Sequence, residues 1–81
     1  MKAVIESYCC VPDLPDSRVE AFHYCLYGDC GMLHRGTVTI RTAKVLATEI
    51  RAGTAFAAMM RAISEGNPRN YGSLVGATFV D

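Results

Sequence analysis

The chain has 81 residues, of which 51% are hydrophobic and 20% are charged, and its eight basic and eight acidic residues balance to a net charge of zero. This composition excludes a disordered chain and predicts one globular domain spanning residues 1–81. The longest apolar run, residues 55–60, is too short to cross a membrane, and Glu6 interrupts the apolar start too early for a signal peptide. We therefore expect a cytoplasmic protein.

The first half of the chain predicts three strands. Residues 2–10 are rich in valine, isoleucine and tyrosine, and residues 18–27 and 32–41 continue the same strand-forming composition. Two prolines and two aspartates predict a loop over residues 11–17, and the segment GDCG at 28–31 predicts a hairpin turn. Gly36 lies inside the third predicted strand and is a candidate β-bulge.

The second half predicts a helical segment followed by one strand. Residues 42–66 have apolar positions at helical spacing, and the sequence leaves open a kinked helix or two helices. Gly53 favours a break there, because glycine destabilises a helix interior, and Thr54 can cap a new helix. Residues 73–80 predict the closing strand. The order β-β-β-α-β predicts a two-layer α+β fold, with a mainly antiparallel sheet and the helical layer on one face.

The alternation of side chains along residues 18–41 separates two faces of the predicted hairpin. The residues of one face are uniformly apolar at the end of the hairpin away from the turn, so we expect this face to lie against the helices. It includes Val19, Ala21, Cys25, Val38 and Ile40.

The other face combines aromatic residues with arginines and is expected to be exposed to solvent. Its predicted partner-binding residues are Phe22, Tyr24, Arg35 and Arg41. An exposed aromatic patch flanked by arginine is typical of a surface that binds another protein. A homodimer interface and partial cover by the 11–17 loop are the alternatives.

Residues 22–36 contain both histidines and two of the four cysteines, which raises the question of a metal site. The alternation brings His23, Cys25 and His34 to one face, and these are residue types that bind zinc. The segment has no C-x-x-C motif, and the spacing from Cys25 to Cys30 is wider than in zinc knuckles. We therefore predict no metal, no cofactor and no catalytic residue. Cys30, at an exposed turn, is the expected site of an intermolecular disulfide.

The build of the chain resembles that of the small phage-encoded anti-CRISPR proteins that act on type I systems. Both have a few strands, then an Ala/Met-rich helix, here GTAFAAMMRAISEGNPRNY, then a last strand, here SLVGATFV. The resemblance implies a non-enzymatic inhibitor that binds a Cas protein and blocks DNA recognition in the host cytoplasm. The zero net charge departs from the highly acidic, DNA-mimicking members and favours the blocking of a protein surface.

The alternative function is a small nucleic-acid-binding module of phage or bacterial origin. Basic residues predominate between positions 34 and 51, where only one acidic residue occurs. Lysine and arginine neutralise backbone phosphates, which makes such binding salt-dependent. The residues that would carry it are Arg35, Arg41, Lys44 and Arg51.

Overall fold

The computed structural model describes residues 1–14, 17–51 and 53–81, and it describes side chains at all of these except 10–14, 17 and 18. The elements are β1 (Lys2–Leu14), β2 (Ser17–Gly28), β3 (Gly31–Thr39), α1 (Ile40–Glu49), α2 (Ala55–Ser64), a 3-10 helix (Tyr71–Leu74) and β4 (Thr78–Val80). The predicted α+β fold, an antiparallel sheet with a helical layer, is confirmed.

The sheet has the strand order β3-β2-β1-β4, and every neighbouring pair is antiparallel. The prediction of a loop over residues 11–17 is wrong for 11–14 and for 17, because β1 continues to Leu14 and β2 begins at Ser17. The rest of that predicted loop, 15 and 16, lies outside the described residues. Pro12 is compatible with strand structure at this position. The short strand β4 pairs only with Lys2–Val4, so none of the described strands pairs with that edge of β1 at Pro12. Proline has no backbone N–H, and its absence there breaks no hydrogen bond between β1 and β4.

The helical segment is divided into two helices near Gly53, as one of the two sequence alternatives predicts. Each helix begins at a threonine cap: Thr39 Oγ1 accepts a hydrogen bond from the Thr42 backbone N–H at 3.1 Å, and Thr54 Oγ1 accepts one from Ala57 at 3.0 Å. Gly53 has φ +104°, a left-handed conformation that strongly favours glycine. None of the helices in the described residues is long and apolar enough to span a membrane.

Two strand ends differ from the sequence prediction. The cap at Thr39 starts α1 at Ile40, so Ile40 and Arg41 are helical and do not end the third strand. The predicted strand over residues 73–80 is mostly a 3-10 helix and a turn, and only Thr78–Val80 pairs with the sheet.

The helices and the 3-10 helix cover one face of the sheet, which we call the inner face. Phe22 is at its centre with no solvent exposure, and its ring lies 5.3 Å from Tyr8 and 5.8 Å from Tyr71. The buried core consists of Ala3, Ile5, Phe22, Tyr24, Val38, Ala43, Ala55, Met59, Met60, Ile63 and Tyr71.

The predicted inner face of β2 is therefore wrong, because Phe22 and Tyr24 face the helices. The cause is a bulge in β3: Tyr27 pairs with Met32, but Leu26 pairs with His34. Since side chains alternate with a period of two, this single extra residue, Leu33, moves every following residue of β3 to the opposite face relative to β2. The bulge at Gly36 is also not observed, and Gly36 pairs directly with Tyr24.

Candidate functional site

The face of the sheet opposite the helices, which we call the outer face, carries most of the chemically reactive side chains. Residues paired across neighbouring strands lie on the same face, so the register defines its members. They include Lys2, Val4, Ser7 and Cys9 on β1, Ala21, His23, Cys25 and Tyr27 on β2, and Met32, Arg35, Thr37 and Thr39 on β3.

A thiol, an imidazole and a hydroxyl lie in a row across three strands of the outer face. Cys9 Sγ is 3.4 Å from His23 Nε2, and His23 Nδ1 is 2.7 Å from Thr37 Oγ1. A second bulge, at Glu6, places Ser7 opposite His23 and Cys9 opposite Ala21, so that Cys9 is the diagonal neighbour of His23. His23 therefore has both ring nitrogens engaged by side chains.

A second thiol lies on the same face within a network of polar side chains. Cys25 is fully buried, and Arg35 Nε donates to its Sγ at 3.5 Å. The same guanidinium lies 3.5 Å from the carboxylate of Glu6. Hydrogen bonding to Cys25 raises the pKa of Tyr27 and also raises the pKa of Arg35. Cys25 is thus enclosed by its neighbours on the sheet, whereas Cys9 remains partly exposed.

Strand β3 forms one edge of the sheet and is largely exposed. Gly31 to Arg35 are all exposed, with Met32 at 54% and Leu33 at 61%. Met1 and Val80 are also large exposed hydrophobic residues, and they lie at the same end of the sheet, because Lys2 pairs with both Tyr27 and Val80. Four of the six large exposed hydrophobic residues in the described part of the chain thus lie at the hairpin end of the sheet, and Phe22 and Tyr24 are not among the six.

The four predicted partner-binding residues are not brought together. Phe22 and Tyr24 are 0% and 8% exposed inside the core, so the prediction that they face solvent is wrong. Arg35 lies on the outer face with its side chain 65% exposed. Arg41 is exposed in the first turn of α1.

The predicted grouping of His23, Cys25 and His34 is also absent. The bulge at Leu33 places His34 opposite Leu26, on the inner side, where its ring lies 5.9 Å from that of Tyr24. Within the described part of the chain, no group of three or more histidine, cysteine, aspartate or glutamate residues is placed to hold a metal ion. Cys30 is exposed at the tip of the hairpin.

Sequence reasoning missed the row formed by Cys9, His23 and Thr37 because it placed His23 and Thr37 on opposite faces. The one sequence feature near this row that could be read correctly is the hairpin turn GDCG. In the structure Gly31 adopts φ +119° there and Gly28 pairs with Gly31. That turn fixes the pairing of Tyr27 with Met32 but does not reveal the bulge beyond it.

No protein-family model, curated protein or solved structure matches this chain. The site is therefore interpreted from its own geometry and from the chemistry of its side chains.

Proposed function

We propose that this chain is a non-enzymatic binding protein that engages another protein through strand β3. The observation that carries the proposal is the position of β3 at the edge of the sheet, with residues 31–35 exposed. An edge strand offers a row of unpaired backbone N–H and C=O groups with which a strand of a partner can pair.

The side chains at this edge have the composition of a binding surface. Met32 and Leu33 are apolar and more than half exposed, and Arg35 follows two residues later. Methionine and arginine are enriched in protein interfaces, and arginine is among the residues that most often dominate binding energy. The binding residues we propose are thus Met32, Leu33 and Arg35, in place of Phe22 and Tyr24.

The resemblance to type I anti-CRISPR proteins gives a narrower form of the proposal. In that form, the partner is a Cas protein of a type I surveillance complex, the site of action is the host cytoplasm, and binding blocks DNA recognition. Pairing of β3 with β3 of a second copy would give a homodimer through the same edge, and the oligomeric state distinguishes this arrangement from binding to a foreign partner.

The test begins with affinity purification from the native host, followed by titration of the recovered partner or of a purified type I surveillance complex. We expect Leu33→Asp and Arg35→Glu each to weaken binding by about 1–4 kcal/mol, the range for important interface residues. Lys44→Glu is the matched control, since Lys44 is an exposed cation on α1, which follows the end of β3 opposite to residues 31–35. Unchanged affinity for both β3 variants would contradict the proposal.

A second candidate function is supported by a different surface. Arg41, Lys44 and Arg51 are exposed on α1 and just after it, and none has an ion-pair partner among the described residues. Unpaired cations along one helix suit the phosphates of a nucleic acid. Binding to arbitrary duplex DNA that weakens steeply with salt, and that is lost in Lys44→Glu but not in Leu33→Asp, would favour this function.

A further inference from the structure

The row of Cys9, His23 and Thr37 has the arrangement of an activated nucleophile. A thiol within hydrogen-bond reach of a base, with the base held by a third group, is the geometry that promotes attack by sulfur. Here the two distances are 3.4 Å from Cys9 Sγ to His23 Nε2 and 2.7 Å from His23 Nδ1 to Thr37 Oγ1. None of the three residues belongs to the buried core.

The hydrogen bond to Thr37 orients the imidazole. In the tautomer with its proton on Nδ1, that N–H donates to Thr37 Oγ1, and the lone pair of Nε2 faces the thiol of Cys9. His23 is then placed to accept the thiol proton while the sulfur attacks an electrophile.

We infer that Cys9 is a reactive thiol that forms mixed disulfides with low-molecular-weight disulfides. In this step Sγ of Cys9 transfers its proton to His23 Nε2 and attacks one sulfur of the small disulfide. A new S–S bond forms, the old S–S bond breaks, and the departing thiolate takes the proton from His23. One thiol and one disulfide yield one mixed disulfide and one free thiol, so the reaction is a stoichiometric modification without turnover.

The other described cysteines do not provide an internal partner for Cys9. Cys9 pairs with Ala21, and Cys25 lies four residues further along β2, about 13 Å away at the usual rise of a strand. A disulfide requires Cα atoms within about 7 Å. Cys30 is further still, at the hairpin tip. Neither of the other cysteines with described side chains can therefore supply the partner sulfur, and the proposal takes it from a small disulfide in solution. None of the described helices covers the outer face, and Cys9 is partly exposed there.

The first experiment measures alkylation of each cysteine by iodoacetamide at neutral pH, with mass spectrometry to separate the sites. It uses a Cys10→Ala background, so that the adjacent thiol is not confused with Cys9. We expect His23→Gln to slow alkylation of Cys9 by about tenfold, less than the ~10²–10⁴-fold typical of a general base, because cysteine is a strong nucleophile even without one. The rate at Cys30 is the internal reference and should not change. An unchanged rate at Cys9 in His23→Gln would overturn the inference.

A pair of Thr37 variants tests the orienting role without altering the base. Thr37→Ser keeps the hydroxyl and should retain the parental rate at Cys9, whereas Thr37→Val keeps the shape and should slow it by about threefold or more, a fraction of the general-base effect. This pair keeps the inference falsifiable if His23→Gln fails to fold. Equal rates in the serine and valine variants would show that Thr37 does not orient His23.

The second experiment incubates the protein with oxidised glutathione and maps the adducts. We expect one glutathione per chain, located on Cys9 and reversed by a reducing agent, with much less adduct in His23→Gln. Adduct formation mainly on Cys30 would overturn the inference. Neither experiment needs a protein partner, so the inference stands or fails independently of the proposed binding function.

Discussion

The inner and outer faces of the sheet exclude water by different means. On the inner face, Phe22 and Ile5 have no solvent exposure because two helices lie over them. On the outer face, Cys25 is equally buried, although none of the described helices covers it, and Arg35 Nε donates a hydrogen bond to its Sγ. The inner face therefore depends on the shape and volume of side chains, whereas the outer face depends on a few contacts between neighbours on the same sheet.

The largest loss of stability is expected from truncating Phe22, whose ring is at the centre of the inner face. Phe22→Ala should lower the free energy of unfolding by about 3–5 kcal/mol, because it leaves a cavity in the core beside the aromatic rings of Tyr8 and Tyr71. The matched control is Tyr27→Ala, a similar truncation on the outer face of the same strand, which should cost about 1 kcal/mol. Urea denaturation followed by circular dichroism measures both values.

A smaller loss of stability in Phe22→Ala than in Tyr27→Ala would reverse the assignment of the two faces. It would also remove the register on which the row of Cys9, His23 and Thr37 depends, so this measurement tests the site as well as the core.

A moderate loss of stability is expected from substituting Gly36, because the ring of Tyr24 lies close to the backbone of β3 at this residue. A Cβ atom at Gly36 would lie 2.7 Å from Tyr24 Oη and 2.9 Å from His34 Nε2. Gly36→Ala should therefore displace the buried ring of Tyr24 and cost about 1–2 kcal/mol. Gly72→Ala is the control, because nothing lies within 4 Å of a Cβ atom there. Equal stability of the two variants in thermal denaturation would show that Tyr24 does not pack against Gly36.

The smallest change in stability is expected from ionisation of Tyr24 on the inner face. Burial raises the pKa of Tyr24 above its ordinary value of 10.0. A raised pKa in the folded state means that the neutral phenol contributes stability at neutral pH, and that this contribution is lost as pH rises through the pKa of the folded state. Denaturation between about pH 9 and about pH 11 should therefore show a steeper loss of stability in the parent than in Tyr24→Phe.

Tyr27 provides the outer-face reference for that measurement. Its pKa is raised mainly by a hydrogen bond to Cys25, with burial a lesser cause. A titration of tyrosinate absorbance in Tyr24→Phe and Tyr27→Phe assigns each ionisation to one ring. If Tyr24→Phe has the same pH dependence of stability as the parent, burial of Tyr24 has no consequence for its ionisation.

The sequence was sufficient for the fold class and the order of elements, because these follow from local signals. Gly53 predicted a break in the helical segment and Thr54 a new helix start, and the structure has α1 ending at Glu49 and α2 beginning after Thr54. The turn at Asp29 and Cys30 closes the predicted hairpin. The assignment of faces failed for a physical reason. Residues 21–27 are apolar or aromatic at nearly every position, so alternation along β2 does not distinguish the two faces, and the bulge at Leu33 separates the pattern of β3 from that of β2.

The same bulge explains why the sequence did not predict the candidate site. A continuous register places His23 and Thr37 on opposite faces, whereas the observed register pairs them directly. Bulges change the pairing by one residue without a distinctive sequence signal, and here the glycine that suggested one, Gly36, pairs regularly with Tyr24. Chemistry that depends on neighbours across strands therefore required the three-dimensional structure.

The pairing of β4 with β1 has a consequence for how the chain folds during synthesis. Strands β1, β2 and β3 follow one another directly and can associate as soon as they leave the ribosome, whereas Lys2 pairs with Val80, almost the full length of the chain away. Contacts so distant in sequence form late, because their loop-closure entropy must be overcome first. The edge of β1 thus stays open in the nascent protein until β4 emerges, and during that interval it is available to chaperones or to another nascent chain.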